Sequence, residues 1–365
     1  MPKGNVTFPE KVINRIHIEE NFMPEKYFYF KLKNIEAVNS SMSDKLAIFI
    51  APNAGPNLTT SVLKDLALSL SEIQGMNFAV ITRAGKVILT NATFITDLTF
   101  SEILDSQPDY IFFEVHTFFD EPYLLDPELM IKIKTHTKAK VLGICFDLWR
   151  NFDINCLQKW DKTVDNFIHM DLESAEKLDF AKDKLVFWPY AGWTKTLKPI
   201  TGKDELLFFS GNLKPPYRRK ILASSNEYAR KSGVKFNINR LNSKLSKSTL
   251  TEVAYLNSLN SSQYVLSLSQ KSTDKFVIPF RSLEAISLGC TVFQQETEKF
   301  STFSQLFIPY EHYWPFKSTQ ELGDAIKNIE FRHNDYVAIG LRGKNFMTEH
   351  YSPKTMWSYL INAIS

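Results

Sequence analysis

The stretch Phe276-Val-Ile-Pro-Phe-Arg-Ser-Leu-Glu-Ala-Ile-Ser-Leu-Gly-Cys-Thr-Val-Phe293 decides how the rest of the chain is read. It predicts a loop closed by Pro279, a short helix carrying Arg281 and Glu284, a stop at Gly289 and an apolar strand over residues 290–293. A helix N-terminus leaves backbone N–H groups unpaired at a positive dipole end, so it can hold a phosphate, and Arg281 can add a charged fork to the same anion. Glu284 follows three residues later on the same helical face, where its carboxylate can accept hydroxyl protons from a ribose or a sugar. Taken in isolation, the same pattern also describes a core helix with a surface Arg–Glu pair. The surroundings have to separate the two.

Working outward, the apolar runs Leu206-Leu-Phe-Phe-Ser210 and Tyr264-Val-Leu-Ser-Leu268 predict strands before this motif. Between them, Tyr217 to Lys231 predicts a helix opened by Arg218, Arg219 and Lys220, residues 234–238 a strand and residues 250–258 a helix. After the motif, residues 306–308 and a helix over 318–329 complete the unit, and a helical region over 335–364 is interrupted at Pro353. The first half repeats the alternation. Strands are predicted at 46–51, 78–81, 110–115, 141–146, 166–170 and 185–188, with a Thr-capped helix ending at Leu70 and further helices near 127–135 and 172–180. Strands alternating with helices at this spacing imply parallel βαβ units, and continuous apolar strands imply sheets covered on both faces. Residues 194–204, rich in Lys, Thr, Pro and Gly, read as a linker, and residues 1–44 as an N-terminal extension without a clean period.

Bulk properties narrow the class. A chain of 365 residues is too long for one ordinary core, and its 44% hydrophobic and 23% charged residues are those of a soluble globular protein. A formal charge of +3 over this length argues against a dedicated nucleic-acid binder. Cys145, Cys156 and Cys290 have no metal-ligand spacing and read as buried free thiols in a reducing compartment. The N-terminus carries no signal core and no run is long enough to span a bilayer, so a cytoplasmic location, at most peripheral at the membrane, is expected.

In open α/β sheets, ligands bind beyond the carboxyl ends of the strands. In the second half, those ends present Gly211 and Asn212 with Arg218, then Lys271 and Lys275, then Arg281 with Glu284. A cationic notch with one carboxylate suits a nucleotide diphosphate joined to a sugar. In the first half they present Glu114 with His116, and Asp147, each able to serve either as a proton acceptor or as a structural hydrogen-bonding group. The turn at Gly55 lacks the dinucleotide fingerprint.

Residues 280–293, in their Arg-x-x-Glu-Ala form, resemble the donor-binding helix of GT-B glycosyltransferases, most of all the spore-maturation-type bacterial enzymes. Ser210-Gly-Asn212 with Arg218 resembles the first βα turn of the same domain, and Ser318-Thr-Gln-Glu-Leu-Gly-Asp-Ala-Ile326 the helix that follows the donor site. The resemblance implies an α/β GT-B fold, two Rossmann-like domains with parallel sheets facing across a cleft. Residues 45–194 would form the acceptor domain, residues 205–350 the nucleotide-sugar domain, and residues 351–365 a helix packing back on the first domain. It further implies sugar transfer from a nucleotide-sugar to a glycan, lipid-linked or protein acceptor, with no cofactor and no metal, in surface polysaccharide or glycoconjugate synthesis. Glu284 would contact ribose or sugar hydroxyls and Arg281 the phosphates. The fuller retaining-enzyme pattern has a second glutamate about two turns earlier, where this chain has Phe276 or Val277. An inverting displacement would instead need a base from the first domain, with Asp147, His116 and Glu114 the candidates in that order; the stereochemistry stays open. The same fold also accommodates a nucleotide-sugar epimerase or hydrolase, and a non-catalytic nucleotide- or glycan-binding protein.

Overall fold

A computed structural model describes residues 45–51, 69, 77–82, 100–116, 126–145, 148, 151–171, 175, 178–189, 200, 202–213, 215–240, 252–270, 277–297 and 302–364. The N-terminal extension up to residue 44, all but Ser69 of the Thr-capped helix ending at Leu70, and the linker core over 194–199 lie outside them.

Two parallel sheets carry the fold. The first contains β1 (Leu46–Ala51), β2 (Asn77–Thr82), β3 (Tyr110–Glu114), β4 (Lys140–Cys145), β5 (Asn166–His169) and β6 (Leu185–Phe187), in the order β2-β1-β3-β4-β5-β6. Helices α1 (Phe100–Ser106), α2 (Pro127–Thr137) and α3 (Asn151–Trp160) make its crossovers. The second contains β7 (Asp204–Gly211), β8 (Lys235–Arg240), β9 (Ser262–Ser267), β10 (Thr291–Gln295) and β11 (Trp314–Phe316), in the order β11-β10-β9-β7-β8. Its helices are α4 (Pro216–Lys231), α5 (Glu252–Ser261), α6 (Phe280–Ser287), α7 (Thr302–Leu306), α8 (Thr319–Lys327), α9 (His333–His350) and α10 (Pro353–Ile364). In both sheets the first strand of the unit is flanked by the second and the third. The chain therefore winds outward in both directions, and a crevice opens at the carboxyl ends where the direction reverses, between β1 and β3 and between β7 and β9.

The pleat explains the unbroken apolar strands. In β1 and β3, Ala47, Phe49, Tyr110 and Phe112 join one core layer, while Ile48, Ile50, Ile111 and Phe113 join the layer on the opposite face. In β7, Phe208 faces one layer and Leu207 and Phe209 the other. A sheet covered on both sides has no position left for a polar alternate, so helices must occupy both faces.

Glycines let α9 settle against the sheet. A β-carbon at Gly343 would lie 2.5 Å from the His312 carbonyl oxygen, and one at Gly340 would lie 2.7 Å from that of Gly289. Both obstacles are backbone and cannot rotate away. Gly343→Ala is expected to destabilise the protein by about 1–3 kcal/mol, read as a lower urea midpoint at unchanged m-value.

The last strand of the second sheet is Trp314–Phe316, and residues 302–306 are helical, so within the apolar run at 306–308 Leu306 ends a helix and Phe307 is buried behind it. Two local expectations are corrected. Within the span expected as a helix over 172–180, the described backbone turns at Asp179 into a 3-10 helix that runs to Lys184. Strand β7 also starts at Asp204, two residues before its apolar run.

The last helix, α10, packs on the first domain. Trp357 is fully buried, 4.8 Å from Trp188, 5.6 Å from Phe112 and 6.1 Å from Phe49 between ring centroids. Its indole N–H donates to Ser69 Oγ at 2.7 Å, and the Trp188 indole donates to the Met356 carbonyl at 2.8 Å. Both tryptophans bury their polar handle with a partner, as burial requires.

Candidate active site

Helix α6 begins after Pro279, which has extended backbone and no side-chain cap; the Ser282 N–H donates to the Pro279 carbonyl at 2.9 Å, and the positive end of the helix dipole faces the crevice side of this turn. It ends because Gly289 takes φ +77°, a conformation glycine adopts without steric cost, and β10 follows at Thr291. The turn buries Ser282, Leu283, Glu284, Ala285 and Ile286, and sets Arg281 beside the end of β7.

Gly211 is the last residue of β7. A β-carbon there would meet Phe209 Cζ at 2.9 Å and Arg281 Nη2 at 3.3 Å, so glycine keeps the space that the guanidinium uses. Arg281 lies over the Phe209 ring, 5.1 Å from its centroid, and its buried Nε makes no hydrogen bond. Arg218, from the first turns of α4, is also buried. It donates to the carbonyls of Gln270 at 2.8 Å, Asn212 at 3.3 Å and Leu268 at 3.4 Å, and its Nε has no partner either. Burial lowers the Arg218 pKa, and repulsion from Arg281 adds to that, against the opposing influence of Tyr217. Two like charges converging on one crevice favour an anion between them.

Glu284 is buried beside them and accepts a hydrogen bond from the Tyr255 hydroxyl of α5. Burial holds the Tyr255 pKa well above its usual value, and the Glu284 charge reinforces this more than Arg281 opposes it. Tyr255 therefore stays a neutral donor that fixes one carboxylate oxygen. Removing only its hydroxyl, in Tyr255→Phe, should raise the KM for a sugar donor about tenfold with folding preserved, a change of the order of one buried hydrogen bond; steady-state kinetics at varied donor checks this. Beneath α6, Ser282 Oγ meets Ser267 Oγ at 2.6 Å and donates to Gln294 Oε1 at 2.7 Å, a buried polar layer that locks the helix onto β9 and β10.

At the crevice of the first sheet, His116 follows β3. Its Nδ1 is 2.6 Å from Glu114 Oε1, and its Nε2 is 2.9 Å from Asp153 Oδ1 and 3.6 Å from Cys145 Sγ. Burial opposes the imidazolium, but Asp153, then Cys145 and Glu114, outweigh it and raise its pKa well above the ordinary range. Cys145 is pushed up to about 12 by burial, against the pull of His116, so this thiol stays protonated and is not a nucleophile.

The structure thus brings together Gly211, Arg218, Arg281 and Glu284, with Asn212 contributing its carbonyl oxygen. Separately, it joins His116 to Glu114. Lys271, Lys275 and Asp147 lie outside the described residues. Two participants had no signal in the sequence. Tyr255 reaches Glu284 only through tertiary packing of α5, and Asp153 meets His116 only because α3 starts beside the end of β3. Arg219, adjacent to Arg218, is exposed. Among the described residues no three His, Cys, Asp or Glu side chains are grouped to hold a metal ion, and no helix is long and apolar enough to cross a membrane.

Residues 215–362 match the model of a family described as "Glycosyl transferase-like". No curated protein matches the chain in sequence. Among solved structures, an alpha-glucosyltransferase in complex with UDP-glucose and DNA containing an abasic site aligns with TM-score 0.59 at 10% identity, covering 88% of this chain and 99% of that one. The T4 phage beta-glucosyltransferase gives 0.55 at 13% identity, covering 88% and 99%. Anabaena HepE in complex with UDP and glucose gives 0.53 at 11% identity, with the same coverage. The first of these structures contains DNA, so the expectation of no nucleic-acid partner finds no support among the neighbours. The chain is accordingly a two-domain protein of the GT-B glycosyltransferase fold, with the glycosyl transferase-like signature on its second domain.

Proposed function

We propose that the protein is a glycosyltransferase that moves a sugar from a uridine diphosphate donor, held by the second domain, to an acceptor held by the first. The observation that carries this reading is the convergence of the buried Arg218 and the half-buried Arg281 on Gly211 at the switch point of the second sheet. The neighbouring structures with UDP or UDP-glucose favour uridine as the base. The two arginines and the start of α6 take up the charge that develops on the leaving diphosphate, the role given to fixed dipoles and cations in transfer chemistry. Glu284, oriented by Tyr255, accepts hydroxyls of the ribose or the sugar. Lys271 and Lys275 extend the same anion site.

In the first domain, His116 is held protonated between two carboxylates, so it is better suited to donate a hydrogen bond or a proton than to take one. The acceptor's proton is therefore assigned to a carboxylate, Asp147 or Glu114, with His116 and Asp153 orienting the latter. A glycan or glycoconjugate is the acceptor class this reading favours, in the assembly of surface polysaccharide. The three cysteines, all buried and free, support a reducing, cytoplasmic setting.

A thermal-shift series with UDP, GDP, CMP and TDP tests the reading. UDP is expected to raise the melting temperature most, and the shift is expected to vanish in Arg281→Ala. Absence of a shift with every nucleotide would overturn it.

A further inference from the structure

At the outer edge of the second sheet, away from the arginine crevice, Tyr310, Trp314, Glu321, Asp324, Asn328 and Arg332 line a recess of about 130 Å³ together with Tyr336. Strands β10 and β9 separate β11, which forms its floor, from the switch point between β9 and β7. Three rings make its walls as a sequence of right-angled corners. Tyr310 and Trp314 stand edge to face at 5.0 Å and 89°, and Trp314 and Tyr336 at 5.0 Å and 88°. Tyr310 is 45% exposed and sits at φ +62°, a left-handed conformation costly for a side-chain-bearing residue. An exposed aromatic held in a strained backbone is not explained by packing.

The polar lining identifies the occupant. Arg332 already lies over the faces of Trp314 and Tyr336, at 5.0 and 5.8 Å from their centroids, so the aromatic faces are supplied with a cation. A second cation would meet its repulsion. An anion would face the carboxylates of Glu321 and Asp324. What remains compatible is a neutral molecule that has C–H groups to lay against the rings and hydroxyls to use the remaining bonding capacity of the lining: the carboxylates of Glu321 and Asp324 beside their bonds from the Lys317 N–H, Gln320 and Lys327, the second amide hydrogen of Asn328, whose first goes to the Asp324 carbonyl, and the Nη groups of Arg332, whose Nε is bonded to Asp335. We propose that this recess is a saccharide-binding site, separate from the donor crevice, that holds one residue of a neutral glycan against Tyr310 and Trp314.

The claim concerns binding and stands apart from transfer. Titrations by calorimetry and saturation-transfer NMR with maltotriose, cellotriose and chitotriose, and with tetramethylammonium as the competing cation, test it. At least one trisaccharide is expected to bind saturably, with equal affinity in Arg281→Ala and at least about tenfold weaker affinity in Tyr310→Gly. Glycine accepts the left-handed backbone, so that variant removes the ring and leaves the turn; a UDP-induced thermal shift equal to the parent's confirms its fold. Asp324→Ala is expected to weaken binding as well. Binding by none of the trisaccharides, preferential binding of tetramethylammonium, or trisaccharide affinity lost in Arg281→Ala but kept in Tyr310→Gly would each overturn the proposal. Failure of transfer with intact trisaccharide binding would instead count against the transferase reading alone.

Discussion

Arg281→Ala should lower turnover by about 10²- to 10³-fold, the loss that follows when one preorganised charge partner of a developing anion is removed. The residue lies over Phe209 and against Gly211, shares a hydrogen bond with Tyr255 and keeps an Nε without a hydrogen-bond partner, which holds the guanidinium at the crevice. Its neighbour Arg218 is tied to three carbonyls and cannot swing over to replace it. The melting temperature without nucleotide should change little, because relief of the repulsion between the two guanidiniums offsets the lost contact with Phe209. Initial rates at saturating donor, paired with melting curves with and without UDP, separate this outcome from general damage. Full activity in a folded Arg281→Ala protein would remove the residue from the site.

Trp357→Ala should cost about 3–5 kcal/mol, the usual range for truncating a fully buried aromatic. The side chain fills the space between Phe49, Phe112 and Trp188, and its departure also leaves the buried Ser69 hydroxyl without its donor. Trp357→Phe keeps most of the ring contact and loses the hydrogen bond, so about 1–2 kcal/mol is expected. Urea unfolding of the three proteins, followed by tryptophan fluorescence, gives the order parent, Phe, Ala. If the alanine variant unfolds at the parent's midpoint, the helix is not holding the first domain.

Much of this architecture was legible because the relevant physics is local. Runs such as Tyr110-Ile-Phe-Phe-Glu114 are apolar at nearly every position since both faces of the sheet are covered, and Gly289 ends α6 because only glycine takes φ +77° without strain. The pairing of Arg281 and Glu284 on one side of a short helix followed from their spacing. Where reading failed, the deciding interaction was distant. Strand β11 has only three residues with Pro315 in the middle, which a sheet tolerates at an edge but which shows no period. His116 reads as a possible base from its sequence neighbours, whereas the approach of Asp153 from α3, ahead of Cys145 and Glu114, holds it protonated. Tyr255 is an ordinary helix aromatic until α5 is set against α6.

The position of Trp357 also sets an order of events during synthesis. The first domain leaves the ribosome before α10 is made, so the surface formed by Phe49, Phe112 and Trp188 is covered only when residues 353–364 arrive. At ordinary elongation rates that interval is on the order of ten seconds or more. Through it a nascent chain exposes a patch of aromatic rings, a ready target for chaperones and a site for mispairing between neighbouring polysomal chains. A polypeptide truncated after the first sheet would carry that patch permanently, so the two lobes are separable in space but not as consecutive lengths of polypeptide.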